Sequence, residues 1–78
     1  MDREAGPSTP LERIERRLGG IKAVADLADR SVKSVYRWRS EGGLVPLPAQ
    51  RRMVRNARRR RIELDYPDFA PRAGEVVT

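Results

Sequence analysis

The stretch from Gly20 to Gly42 constrains the fold of this 78-residue chain more than any other part of it. Apolar residues recur there at the three- and four-residue spacing of one helical face, and the pattern is interrupted at Asp29-Arg30. Ser31 directly follows the interruption and is placed to cap a new helix. The sequence therefore predicts two short helices, over 21–28 and 31–41, joined by a tight turn. This spacing is typical of a helix-turn-helix unit.

The same stretch resembles a known group of proteins. The string GGIKAVA from Gly19, the turn, and VYRW from Val35 are similar to the small Cro-like regulators of phage and bacteria, which include the YdaS-type antitoxin repressors. The resemblance covers about 18–61 and departs at the turn. There Asp29 stands where glycine is usual, and Arg30 stands where an apolar residue is usual. It implies a Cro/repressor-like fold in which the later helix reads DNA, and a repressor that occludes a promoter.

Two further helices are predicted on either side of this unit. Thr9, Pro10 and Glu12 form the start signal of a first helix, a capping box with proline at the first helical position. Pro46 and Pro48 end the connector after the third helix, and a fourth is predicted from Pro48 to about Arg60. We expect an all-α, four-helix domain over 9–64. A disordered arm is expected over 1–8, and a short, partly disordered C-terminal tail, extended at its start, over 65–78.

The charge of the chain is concentrated in its middle. The formal net charge is +6, and 22–61 holds twelve basic residues against three acidic ones. Arginines on the fourth helix follow one another with no acid between them, and like charges at this spacing destabilise an isolated helix. Such a block favours a polyanionic partner, with nucleic acid as the first candidate and an anionic membrane surface as the second. The alternative is a solvated face that only aids solubility.

The candidate site residues divide by the part of DNA they would contact. A recognition helix reads base edges with its N-terminal residues in the major groove, and Arg37 can pair in a bidentate manner with guanine. The candidate base-reading residues are Ser31, Val32, Lys33, Tyr36 and Arg37. The candidate phosphate-binding residues are Gly20, Lys22, Arg30, Ser34, Arg39, Arg51, Arg52 and Arg55. Trp38, beside these arginines, suggests base stacking but is expected in the core.

Composition excludes several classes of site. The chain has no cysteine and no histidine, so disulfides, thiolate or imidazole metal sites, and Cys-His or Ser-His catalysis are excluded. No catalytic residue, metal, cofactor or small-molecule ligand is predicted, and an enzyme is not expected. The chain lacks an apolar run long enough to span a membrane, and a cytoplasmic, nucleoid-associated location in a bacterium is expected.

The apolar residues of the tail have two interpretations. Ile62, Leu64, Tyr66 and Phe69 either fold back on the core or add to a partner subunit. Because a small reading unit needs two copies to discriminate a site, we expect a weak homodimer, or a monomer that dimerises on DNA, held largely by this segment.

The expected function is sequence-specific binding of double-stranded DNA by a transcription regulator. Repression is implied by the resemblance alone. Two alternatives remain open at this point. The first is a sequence-neutral nucleic-acid binder that uses the arginine block. The second is an antitoxin-type module that binds a toxin through its tail.

Overall fold

A computed structural model of the chain describes residues 9–71. These residues form four α-helices and one 3₁₀ helix, and the prediction of an all-α fold is confirmed for them. The predicted arm over 1–8 and the end of the tail, 72–78, lie outside the described residues. The helices are α1 (Pro10–Leu18), α2 (Ile21–Ala28), α3 (Val32–Ser40), α4 (Leu47–Arg59) and the 3₁₀ helix Tyr66–Phe69.

The starts of α1 and α3 follow from local signals. The Glu12 backbone N–H donates to Thr9 Oγ1 at 3.2 Å, and the Thr9 N–H donates to Glu12 Oε1 at 3.1 Å, which completes the predicted capping box. Ser31 caps α3 by accepting from the Ser34 N–H at 3.2 Å. The fourth helix begins one residue earlier than predicted, at Leu47. Pro48 still lies in the first turn, where a missing N–H costs no hydrogen bond.

All four α-helices end with the same hydrogen bond. In α1, the Gly20 N–H reaches back to the Glu15 carbonyl at 2.9 Å, past a left-handed residue. This is the six-to-one bond of the Schellman motif. The corresponding pairs are Arg30 to Ala25, Gly43 to Trp38 and Ile62 to Ala57, and the left-handed residues are Gly19, Asp29, Gly42 and Arg61.

The second helix lies at the centre of the domain and packs on α1, α3 and α4. The core around it contains the aliphatic residues of all four helices together with Trp38, which is 5% exposed. The prediction that Trp38 is a core residue is confirmed. Because α3 packs only on α1 and α2 within the described chain, its remaining surface faces outward.

The C-terminal segment, 62–71, folds back on α1 and α4. Leu64 is 6% exposed and Phe69 is 3% exposed, and both belong to the single core cluster. Arg13 and Arg17 of α1 tie the segment down: Arg13 donates to the Asp68 carbonyl at 2.7 Å, and Arg17 to Asp68 Oδ1 at 2.8 Å. The assignment of this segment as a dimer surface is therefore wrong for Leu64 and Phe69, because this chain's own core already covers them.

The connector after α3 is fixed against the start of α1. The Gly43 carbonyl accepts from the Leu11 N–H at 3.0 Å. Gly43 has a φ of 74°, and a Cβ added there would lie 2.3 Å from the Thr9 Cβ. A side chain at position 43 is excluded by both the backbone conformation and the space, so this close approach requires glycine.

Candidate nucleic-acid interface

The outward face of α3 carries three exposed side chains that can contact a nucleic acid, Lys33, Tyr36 and Arg37. The opposite face is anchored by Val35 and Trp38, which are buried. Tyr36 is 53% exposed, although Val35 directly before it is in the core. The geometry thus brings a primary amine, a phenol and a guanidinium together on one helical surface, next to the N-terminal end of that helix.

The remaining predicted base-reading residues are more constrained. Ser31 is exposed, but its hydroxyl oxygen is engaged in capping α3. Val32 is partly buried and packs against the core, so only part of its side chain faces outward. Ser34, predicted to contact phosphate, is 7% exposed, and its Oγ lies 3.3 Å from that of Ser31. Ser34 is therefore not part of the surface, because a buried hydroxyl that already has a partner cannot reach a phosphate.

Arg39, also predicted to contact phosphate, is bound within the chain. Its Nη2 donates to both carboxylate oxygens of Glu15 on α1. This hydrogen bond raises the pKa of Arg39 above its usual range. The guanidinium carbon lies 5.8 Å from the centre of the Tyr36 ring, within the range of a cation–π contact. Arg39 is an exposed residue that contacts Glu15 and Tyr36, so a phosphate has to compete with the Glu15 carboxylate for it.

The start of α2 offers an anion fewer free donors than Gly20 and Lys22 together predict. The Gly20 N–H is engaged by the Glu15 carbonyl, so Gly20 itself has no free donor there. Lys22 is exposed and lies in the first turn, where amides lack intrahelical acceptors. The open cleft beside Gly20 is lined by two carboxylates, Glu12 and Glu15, and by two guanidiniums, Arg16 and Arg39, so it carries no excess of either charge. Lys22 is the remaining candidate contact.

Some arginines of α4 and its C-terminal cap have acidic partners elsewhere in the chain, although no acid lies between them in the sequence. Arg52 Nη1 lies 3.0 Å from Asp29 Oδ2, and Arg60 Nη1 lies 2.6 Å from Asp26 Oδ2. Arg58 lies 3.9 Å from Asp65, and both of these side chains are largely exposed. The two acids of α2 and its turn thus neutralise the edge of α4 that faces α2.

Three arginines spaced four residues apart along α4 form an arginine ridge: Arg51, Arg55 and Arg59. All three are exposed, and none has an acidic partner within the described part of the chain. Arg55 and Arg59 line one surface depression together with Arg52, Asn56 and Asp29 of the α2–α3 turn. Because Arg30 follows Asp29 and is also exposed, the arginine ridge of α4 adjoins the turn that leads into α3.

Sequence reasoning missed two residues of this surface. Arg59 belongs with Arg55 on the ridge, and its spacing of four residues from Arg55 on a helix is the signal that places it there. Asn56 was also missed: its Nδ2 donates to the Leu27 carbonyl at 2.8 Å and so fixes α4 against the end of α2. A lone asparagine between arginines gives no sequence signal for such a contact.

Comparison of the chain with family models, with curated proteins and with solved structures finds no match. Within 9–71, no helix is long and apolar enough to cross a membrane. The same residues contain no group of three or more acidic side chains that could hold a metal ion. The function must therefore be argued from the geometry and charge of the surface itself.

Proposed function

We propose that the protein binds double-stranded DNA in a sequence-specific manner, with α2 and α3 acting as a helix-turn-helix unit. The observation that carries this proposal is the outward face of α3. It presents Lys33, Tyr36 and Arg37 on a short helix whose opposite face is locked into the core by Val35 and Trp38. A rigidly held helix with donors near its N-terminal end suits the major groove.

The chemistry of that face supports base reading. Arg37 has the planar fork that pairs with the O6 and N7 atoms of guanine, and Lys33 can donate to the same atoms singly. The Tyr36 hydroxyl can donate to phosphate, and its ring can pack against the sugar or a thymine methyl. Ser31 and Val32 are at the edge of this face and contribute less, because one is engaged as the cap and the other is partly buried.

The arginine ridge supports a separate role in affinity. Arg51, Arg55 and Arg59 on α4 and Arg30 at the turn are exposed cations without acidic partners in the described chain. Contacts of this kind with phosphate release counterions and add affinity without sequence information. Lys22 at the start of α2 is assigned the same role. Arg52 is assigned a structural role through its contact with Asp29.

Regulation of transcription, and repression by occlusion of a promoter, form part of the same proposal. The face of α3 presents few side chains, so one copy covers few base pairs. Discrimination in a genome then requires two copies on one site, and a two-fold dimer on DNA is the common solution. Its half-sites would lie about 10 bp apart, one helical turn of the duplex.

Selection from a pool of random duplexes tests the proposal. We expect the full chain to enrich a defined sequence, and to bind the enriched duplex at least about a thousandfold more tightly than a random duplex at physiological salt. A pool that stays random after several rounds, with equal affinity for all its members, would contradict sequence-specific binding.

A sequence-neutral binder is the second candidate, and the arginine ridge is the observation that favours it. Phosphate contacts alone give affinity for any duplex, with steep salt dependence. The unenriched pool described above is the result this alternative predicts. The antitoxin alternative places toxin binding in the tail; Leu64 and Phe69 of that tail are buried in the core and cannot contact a toxin, and 72–78 lie outside the described residues.

A further inference from the structure

Glu15, Arg39 and Tyr36 form a chain of contacts from α1 to the outward face of α3. Arg39 Nη2 donates to both oxygens of the Glu15 carboxylate, whose side chain is only 16% exposed. The same guanidinium lies 5.8 Å from the centre of the Tyr36 ring. A carboxylate on one helix thus holds a cation against an aromatic ring on another.

This arrangement does two things at once. It engages an exposed arginine of α3 with the Glu15 carboxylate, so a phosphate has to compete with Glu15 for Arg39. It also gives the exposed Tyr36 ring a fixed neighbour, since a cation within about 6 Å of an aromatic ring attracts it. A more ordered ring loses less side-chain freedom when it contacts DNA.

We propose that Glu15 is a specificity-determining positioning residue of the DNA-binding surface. It never touches DNA; it keeps Arg39 off the phosphates and on the Tyr36 ring. Loss of this carboxylate raises the affinity for any duplex and lowers the preference for one duplex over another. The inference rests on the proposed function, because discrimination exists only if α3 reads base edges.

The first test is Glu15→Gln, measured on a random duplex across a salt series. Release of Arg39 adds one phosphate contact, so the slope of log K against log salt should steepen by about 0.9. The preference for the enriched duplex over the random one should fall about two- to fivefold, the loss expected from an exposed cation–π contact.

Glu41→Gln is the matched control. It removes the same charge next to α3, from an exposed residue that makes no ion pair with the described residues. The control should change binding to all duplexes equally and leave the preference unchanged. Equal slopes and equal preferences for the two variants would overturn the inference, because the effect would then be general electrostatics.

The double variant Glu15→Gln/Arg39→Gln keeps the net charge of the natural chain and makes the test independent of the single variant's stability. If Arg39 is withheld from DNA, its slope on the random duplex should equal that of the natural chain, while the preference stays low. A slope that is shallower by about 0.9 would show that Arg39 contacts phosphate in the natural protein, and would overturn the inference.

Nuclear magnetic resonance of the free protein examines the contact without DNA. The ring of Tyr36 should shift the side-chain proton signals of Arg39, and Glu15→Gln should move them toward the values of a free arginine. Unchanged Arg39 signals in that variant would overturn the inference even if the natural chain discriminates between duplexes. A natural chain that shows no preference would overturn the proposed function and this inference together.

Discussion

Arg37 is the residue from which we expect the largest contribution to sequence preference. Its guanidinium is exposed on α3 and has no acidic partner in the described chain. Arg37→Ala should weaken binding to the enriched duplex by about 1–3 kcal/mol and relax the preference at one base pair, with a smaller loss on random duplex. Fluorescence anisotropy titrations on both duplexes measure this.

Arg37→Lys serves as the control for that variant. Lysine keeps the charge but lacks the planar fork, so it should retain random-duplex binding and still lose preference at the same base pair. Equal losses on both duplexes for Arg37→Ala would instead assign Arg37 to phosphate.

Arg52 and Arg55 provide a matched comparison on α4. Both are exposed, but Arg52 is 3.0 Å from Asp29, whereas Arg55 has no acidic partner among the described residues. Arg55→Gln should reduce the magnitude of the salt slope by about 0.9, and Arg52→Gln should change it little. Equal reductions would mean that the Asp29–Arg52 pair opens when DNA binds.

The long-range ion pairs could not be predicted from the sequence. Arg39 and Arg52 were both predicted to contact phosphate, yet Arg39 binds Glu15 and Arg52 contacts Asp29. Each partner is more than twenty positions away, and only the packing of the helices brings the two charges together. Helical periodicity predicts that these arginines are exposed, but it does not show whether they have acidic partners.

The helices themselves were largely predictable, because their start and stop signals are local. Thr9 and Ser31 cap the helices as expected, and Gly19 takes a positive φ after α1. The turn after α2 uses Asp29 in the left-handed region, with φ 55° and ψ 44°. Aspartate tolerates this conformation better than most residues, which explains why the turn keeps its geometry without glycine.

Arg61 offers a stability test at the end of α4. It adopts φ 57°, a conformation that costs an ordinary L-residue roughly 1–2 kcal/mol. Arg61→Gly should therefore stabilise the domain by up to about 1 kcal/mol, after the greater chain entropy of glycine is deducted. Thermal or urea unfolding followed by circular dichroism measures the change.

Arg59→Gly is the control for charge. It also removes one arginine, but inside the last turn of α4, where glycine should destabilise by about 1 kcal/mol. If both variants stabilise the domain, the cause is relief of repulsion between arginines and not the backbone at position 61.

The domain as a whole depends on its C-terminal segment. Phe69 is 3% exposed in the core, while Tyr66 of the same 3₁₀ helix is 43% exposed. Phe69→Ala should lower the free energy of unfolding by about 3–5 kcal/mol, which is a large share of the stability of a small domain. Tyr66→Ala should lower the free energy of unfolding much less.

A chain truncated after Arg61 should unfold. A truncated chain that stays folded would contradict this placement of the segment.

The sequence could not show whether this segment packs on its own chain or on a partner subunit. Apolar residues in a tail must be buried, but they do not indicate which surface buries them. The sequence around Leu64 and Phe69 reads the same whether they pack on α1 or on a second chain. The deciding contacts come from Arg13 and Arg17 on α1, whose side chains hold the segment in place.

The bond from the Leu11 N–H to the Gly43 carbonyl makes the first turn of α1 a reporter of events at α3. Amides in a first helical turn normally exchange quickly with solvent, since they have no intrahelical acceptor. The Leu11 amide should instead exchange slowly, because deuterium reaches it only when the connector after α3 detaches. A duplex that immobilises α3 should slow this exchange further, although Leu11 lies in the core, away from the outward face of α3.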